Sequence, residues 1–314
     1  MEKIASRERG GAAAPSLPVV APRRRSWLRG DHLVAVLMLL PSIVAVAVFI
    51  YGFIIWTGYV STVKWNTVVE DYSPVGLKNW IDLIRMDRFH WDMRNLLLYA
   101  AAFMSQCIII GFFIAFLLDQ RIKGEAFFRT IVVFPFAVSG VVTGVAWRWL
   151  MQPTTGINLL LRNLGIVDTR FAWNADPKLG ILAISIAAAW QFTGYVMSLY
   201  LAGLRGISDE VREAARVDGA GTFALYRHII IPLLMPVTFT AIVLTGMGSI
   251  RTFDLVVVLQ GPAFSTDMLA FHMYQATFGL YRFSLGATIG FFMILLSALL
   301  VGPYLRSMGG SLET

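Results

Sequence analysis

The chain reads as an all-α polytopic membrane protein with six transmembrane helices and both termini in the cytoplasm. Three observations predict this. Only 14% of the 314 residues are charged and 57% are hydrophobic, whereas a soluble domain typically carries about 25% charge and about 45–50% apolar residues. The charges are segregated: seven Lys or Arg fall in the first thirty residues, while long stretches carry none. Apolar runs also recur at the length a bilayer demands. That length is about 20 residues, because each helical residue advances about 1.5 Å across a hydrocarbon core about 30 Å thick.

Residues 1–32 form a basic cytoplasmic tail, and Gly10–Arg29 within it is rich in Ala, Pro and Arg, a composition that favours disorder. The apolar run that follows spans roughly 28 residues, too long for the h-region of a secretory signal. It is retained as the first span, Leu33–Val60. The others are Leu96–Leu118, Ile131–Met151, Leu179–Leu204, Leu233–Ser249 and Phe283–Leu305. The fifth begins in a Pro-containing stretch and is open to extension into Phe253–Leu259, past Arg251. The membrane domain thus covers 33–306, with a cytoplasmic tail at 307–314. Pro41, Pro135 and Pro236 lie within or near spans, where neighbouring helices satisfy freed carbonyls. Gly140–Gly144 and Gly286–Gly290 each form a GxxxG, which permits close helix approach.

Lys and Arg set the direction. With the N-terminus inside, segments 1–32, 119–130, 205–230 and 306–314 hold 15 of them. The outer segments 61–95, 152–178 and 250–282 are longer in total and hold ten. Arg148 lies at the outer end of the third span. The net charge of +7 is therefore a matter of topology, with the lipid bilayer rather than nucleic acid as the partner it implies.

Several chemistries are excluded. No Lys follows a Gly anywhere, so there is no Gly-Lys-Ser/Thr phosphate loop and the chain binds no ATP in the usual way. The single Cys107 lies in an apolar run, which removes an intramolecular disulfide and a Cys-based metal site. His32, His90, His228 and His272 are scattered among termini and loops, without the close spacing of metal ligands. No catalytic constellation is present, so an enzyme is not expected. The spans contain no Asp, Glu, Lys or His, the residues through which gradient-driven transporters usually couple. Energy from a partner ATPase is expected rather than from an ion gradient.

The stretch Ser208–Pro236 is the most informative. Ser208 suits an N-cap, and Asp209 and Glu210 suit the positive end of a helix dipole. Val211, Ala214 and Ala215 share a face by three- and four-residue spacing. Gly219 fits a C′ position after Asp218. A second helical segment, Phe223–Ile231, climbs to the fifth span through Pro232. A helix with small residues on one side and charge on the other suits docking into a groove on a partner. An ordinary interfacial amphipathic helix has the same pattern.

This loop, 205–230 and its continuation, resembles the cytoplasmic loop of permease subunits of binding-protein-dependent ABC importers. That pattern is EAA, three residues, Gly, nine residues, then Ile-x-Leu-Pro. Here it reads Glu213-Ala214-Ala215, Gly219, Ile229 and Ile231-Pro232, with Ile231 where Leu is usual. The resemblance runs over roughly 33–306. The form Glu-Ala-Ala-Arg-Val-Asp-Gly-Ala at 213–220 is similar to the carbohydrate-importing, maltose/glycerol-phosphate-type class. So are Val75-Gly-Leu-Lys-Asn-Trp80, Trp147-Arg-Trp-Leu150, Ala189-Trp-Gln191 and Phe253-Asp-Leu255. Leu117-Leu-Asp-Gln-Arg-Ile122 with Arg129-Thr130 resembles glucose/mannose-type permeases. In place of the family's Gly-Gly-Gly-Pro-Gly the chain has only Gln260-Gly261-Pro262.

The resemblance implies the type I importer permease fold and import of a sugar by alternating access, in the inner membrane of a prokaryote. It implies as partners two ATP-binding cassette ATPase subunits, which hold the ATP and Mg, a second and non-identical permease subunit, and an extracytoplasmic sugar-binding protein. No cofactor or metal is bound by this chain itself. Glu213, Ala214, Ala215, Asp218, Gly219, Ile229 and Pro232 become the ATPase-coupling residues. A sugar path needs hydroxyl-matching groups and aromatic faces, which the fourth span supplies at Trp190, Gln191, Thr193, Tyr195 and Ser198. Trp and Tyr also serve in packing and interfacial belts, and Gln191 would equally satisfy itself in a helix–helix hydrogen bond. An oligosaccharide, polyol or glycerol-phosphate importer is the neighbouring alternative. An ion-gradient symporter, a channel or an exporter is a more distant one.

Overall fold

The computed structural model describes residues 29–120, 122–166, 173, 176, 180–262 and 264–309. Every regular element among the described residues is helical, apart from an isolated bridge between Val63 and Pro74. The chain divides into two compact units, 1–52 and 53–314. In the first, α1 (Arg29–Val46) contains Pro41 and passes into a π turn, Ala47–Gly52, with no buried residue. The helix begins at Arg29, so the end of the segment read as a tail is helical; residues 1–28 lie outside the described residues.

The second unit opens with α2 (Phe53–Val60) and α3 (Lys78–Arg85), then the longest helix, α4 (Asp87–Asp119). There follow α5 (Glu125–Val133), a 3₁₀ turn at Phe134–Ala137, α6 (Gly140–Leu150), α7 (Gly156–Asn163) and α8 (Gly180–Gly206). Next come α9 (Asp209–Val217), α10 (Thr222–Leu225), a π turn at Tyr226–Ile230, α11 (Ile231–Leu233) and α12 (Met235–Ile250). The last are α13 (Asp254–Val258), α14 (Leu269–Tyr274) and α15 (Phe283–Gly309).

Four helical runs are long and apolar enough to cross a membrane: Ala35–Val60, Asp87–Asp119, Gly180–Gly206 and Phe283–Tyr304. The run read as the third span is not straight. Glu125–Ala137 and Gly140–Leu150 meet at 100°, and Thr222–Leu233 meets Met235–Ile250 at 63°. The count rises to six if each bent pair is one span. Three further boundaries differ from the sequence reading. The helix of the second span begins at Asp87 rather than Leu96, so it carries Arg88, Asp92 and Arg94. The fifth does not extend past Arg251: that residue caps α12, and Asp254–Val258 is a separate helix. Residues 307–309, read as tail, continue α15.

The core is built on α4 and α8, which pack along most of their length. Their facing stripes include Leu96, Tyr99, Phe103 and Cys107 on one and Ile184, Ala188, Val196 and Tyr200 on the other, all buried. Small residues set the closest approaches. A Cβ at Gly194 of α8 would stand 2.1 Å from the Val132 carbonyl oxygen and 2.7 Å from the Val133 Cα, so the end of α5 crosses α8 backbone to backbone there. Both GxxxG pairs pack within the chain: Gly140 and Gly144 against Asp254 and Val258, Gly286 and Gly290 against Thr277 and Met273.

Candidate functional site

The Ser208–Pro236 segment forms a surface helix, a tight turn and a second helical segment. Ser208 has the extended backbone of an N-cap (φ −60°, ψ 144°), although its hydroxyl makes no capping bond. Asp209 and Glu210 occupy the first turn of α9, where the positive dipole end favours them. Its end is closed by a Schellman motif: the Gly219 N–H donates to the Arg216 carbonyl at 3.0 Å, and the Ala220 N–H to the Ala215 carbonyl at 2.9 Å. Gly219 has φ +81°, with nothing within 4 Å of where a Cβ would stand. Backbone conformation rather than space therefore makes this position a glycine's. Ala215 faces the chain's own core, whereas Glu213, Ala214 and Asp218 are at the surface and Val217 is 86% exposed. Ile229 is half-buried, and Pro232 stands in the first turn of α11.

Behind α9 lies a cavity of ≈ 920 Å³, lined by charged residues that include Asp119, Glu125, Arg205, Arg212 and Glu213. Arg205 pairs with Glu125 at 2.7 Å. Arg212, which sequence reasoning passed over, donates Nη1 to Asp119 Oδ2 at 2.8 Å and Nη2 to the Leu204 carbonyl at 2.8 Å. Burial works against its charge, but the hydrogen bond and charge of Asp119 outweigh it and hold the guanidinium above its ordinary value.

The five α8 residues marked for a cargo path do not form one surface. Gln191 donates Nε2 to the Val138 carbonyl at 2.5 Å, at the break between the 3₁₀ turn and α6. It also lines a cavity of ≈ 330 Å³ with Tyr99, Phe136, Arg251, Thr252 and Asp254. Tyr195 stacks on Phe136 with ring centroids 5.0 Å apart. Ser198 returns its hydroxyl to the Gly194 carbonyl at 2.9 Å and lines a different cavity, of ≈ 670 Å³, with Arg129 and Arg205. Thr193 is buried and bonds the Ala189 carbonyl. Trp190 is exposed, its ring 6.1 Å from that of Trp147. Gln191 and Tyr195 are thus brought together through Phe136, while the other three are not.

A second polar constellation joins the start of α4 to the segment before α14. Arg88 donates to Asp267 at 2.8 Å and to Gln275 at 2.5 Å, with its guanidinium over the Phe264 ring at 5.2 Å. Asn95 donates to the carbonyls of Phe264 and Asp267, both at 3.0 Å. His272, read as one of four scattered histidines, is buried with Nδ1 2.5 Å from Asp92 Oδ2. Burial raises the Asp267 carboxyl above its ordinary range, and Arg88 pulls it part of the way back.

Residues 107–305 match the family model described as binding-protein-dependent transport system inner membrane component. A probable ABC transporter permease protein of Pyrococcus horikoshii is 40% identical over 273 residues, which is 86% of this chain and 94% of that protein. A xylose/arabinose import permease protein of Haloferax volcanii is 32% identical over 83% of this chain and 84% of that one. Among solved structures, a chain of a bacterial ABC transporter involved in the import of the acidic polysaccharide alginate superposes with TM-score 0.76. That likeness is at 20% identity, over 91% of this chain and 98% of the other.

Proposed function

This chain belongs to the family of binding-protein-dependent transport system inner membrane components, and on that premise we propose that it carries a sugar through the inner membrane of a prokaryote as the permease subunit of an ATP-driven importer. It is a transport subunit, not an enzyme. In this reading the two bent pairs complete six spans, and both termini are cytoplasmic, as the Lys and Arg distribution argues. ATP and Mg belong to two partner ATPase subunits. A second, non-identical permease subunit completes the pathway, and an extracytoplasmic binding protein delivers the cargo.

The observation that carries the reading is the form of α9. A short helix presents Glu213, Ala214 and Val217 outward, is stopped by a glycine at φ +81°, and stands at the ends of the two helices that form the core. A groove on an ATPase would take that outward face, with Glu213 meeting a cationic group and Gly219 keeping the turn tight.

The cargo reading rests on the ≈ 330 Å³ cavity, where Gln191, Arg251, Thr252 and Asp254 stand among the rings of Tyr99, Phe103, Phe136, Phe192 and Phe253. Hydroxyl-matching groups beside aromatic faces suit a pyranose, and the glucose/mannose-like segments at 117–122 and 129–130 favour a hexose monosaccharide. The xylose/arabinose permease relative favours a pentose as the second reading. Competition of unlabelled hexoses, pentoses and maltodextrins against uptake by the assembled importer decides between them. A hexose that competes at the lowest concentration supports the first reading, and a maltodextrin that does so overturns both.

The buried Asp92–His272 pair removes one argument against ion coupling, since the helix of the second span does carry a carboxylate. Family membership still supports a partner ATPase as the energy source.

A further inference from the structure

We propose that Arg212 is the strut through which movement of α9 reaches the membrane helices, a positioning role that rests on the reading of α9 as the ATPase-docking element. Among the described residues, α10 is the only helix whose backbone approaches α9 at more than a point or two. Ala215 packs α9 against the core, and the guanidinium of Arg212 ties α9 by hydrogen bonds to the ends of both long helices. Nη1 holds the carboxylate of Asp119, the last residue of α4, and Nη2 holds the carbonyl of Leu204, in the last turn of α8.

Both acceptors sit at helix C-termini: the Leu204 carbonyl otherwise takes a long bond from the Ile207 N–H, at 3.4 Å, and the Asp119 carboxylate stands at the last residue of α4. The last four carbonyls of a helix have no partner within it, and its C-terminal end carries partial negative charge that an aspartate there worsens. A fixed cation answers both at once. The pair is also shielded: the side chains of Arg212 and Asp119 are 16% and 6% exposed. Arg205, next in sequence to Leu204, passes the connection on to α5 through Glu125 at 2.7 Å. A displacement of α9 is thus delivered to α4, α8 and α5 together; α4 and α8 line the ≈ 330 Å³ cavity, and α5 and α8 the ≈ 670 Å³ one. The planar fork of arginine bonds two acceptors at a fixed angle, which a lysine ammonium does not reproduce.

The test uses the whole importer with its ATPase partner, in nanodiscs, on a Cys107→Ser background. Ala202→Cys, in the ≈ 670 Å³ cavity, reports the helices by its reaction rate with a water-soluble maleimide, with and without ATP and vanadate. Retention of the ATPase on the tagged permease is measured alongside. Arg212→Ala is expected to retain the ATPase while the nucleotide-dependent change in labelling falls at least tenfold. Arg212→Lys should lose a smaller part of it. The exchange Arg212→Asp with Asp119→Arg should recover part, because it restores the ion pair but not the bond to Leu204. Glu213→Ala should instead release the ATPase. A full nucleotide response in Arg212→Ala overturns the strut, as does loss of the ATPase to the same extent as in Glu213→Ala. If Arg212→Ala fails to insert, an undiminished response in Arg212→Lys overturns it equally. If Glu213→Ala keeps the ATPase bound with normal response, the docking reading fails, whatever Arg212 does.

Discussion

Replacing Gln191 with Leu removes one amide at nearly constant volume, and the geometry sets the cost. The 100° break between Glu125–Ala137 and Gly140–Leu150 takes the carbonyl of Val138 out of any helical ladder. Gln191 Nε2 is the donor that meets it, at 2.5 Å. Without that donor a half-buried carbonyl is left unsatisfied, a loss of about 1–3 kcal/mol. At about 2.1 cal/mol/K of unfolding entropy per residue, each kcal/mol moves the midpoint of a 314-residue chain by roughly 1.5 °C, so a fall of about 2–5 °C is expected. If the same amide also bonds a neutral sugar, cargo affinity falls by about fivefold, equivalent to about 1 kcal/mol. The assay is built into the protein. Cys107 is its single cysteine and is fully buried, so a thiol-reactive dye reports unfolding of the detergent-solubilised subunit directly. An unchanged midpoint would refute the assignment of Gln191 to the helix break. An unchanged midpoint with weakened uptake would assign it to cargo alone.

Gly219→Val should cost about 1–3 kcal/mol through its φ of +81° and weaken ATPase retention, while Gly219→Asn, better tolerated in that region, should do less harm; equal retention in both would remove the turn from the account. Gly194→Ala places a methyl 2.1 Å from the Val132 carbonyl oxygen, so the dye midpoint should fall by more than for Gln191→Leu, and an unchanged midpoint would mean the crossing of α5 over α8 is not as close as described. Arg88→Leu leaves Asp267 buried and unpaired, a loss of about 3–5 kcal/mol, and should make the 260–268 segment the first site of limited proteolysis; protection equal to the parent protein would show that Asn95 alone holds it.

What was legible in the sequence was local. The α9 helix and its stop at Gly219 follow from an N-cap, two acidic residues and a glycine, all within a dozen positions, and the structure forms them there. The break in the third apolar run was not legible. Its carbonyl is satisfied from Gln191, 53 residues away, and the end of α5 just before it crosses α8 at Gly194. The early start of α4 was readable by another criterion. Phe89, Asp92, Leu96, Tyr99, Phe103 and Cys107 recur every three or four positions and are all buried, but Arg88, Asp92 and Arg94 break the apolar run by which spans are counted. Arg212 carried no signal of its own, since its partner Asp119 lies 93 residues earlier and its other acceptor is a backbone carbonyl.

The central claim is that sugar movement through this subunit is driven by ATP hydrolysed on a partner gripping α9. Reconstituted in liposomes with its partner permease, ATPase and binding protein, the complex should accumulate labelled sugar only when ATP is supplied on the α9 side. Accumulation should persist when proton and sodium gradients are collapsed by ionophores, and should vanish with Glu213→Ala. Uptake that needs no ATP and is abolished by a protonophore would contradict the account and turn attention to the buried Asp92–His272 pair.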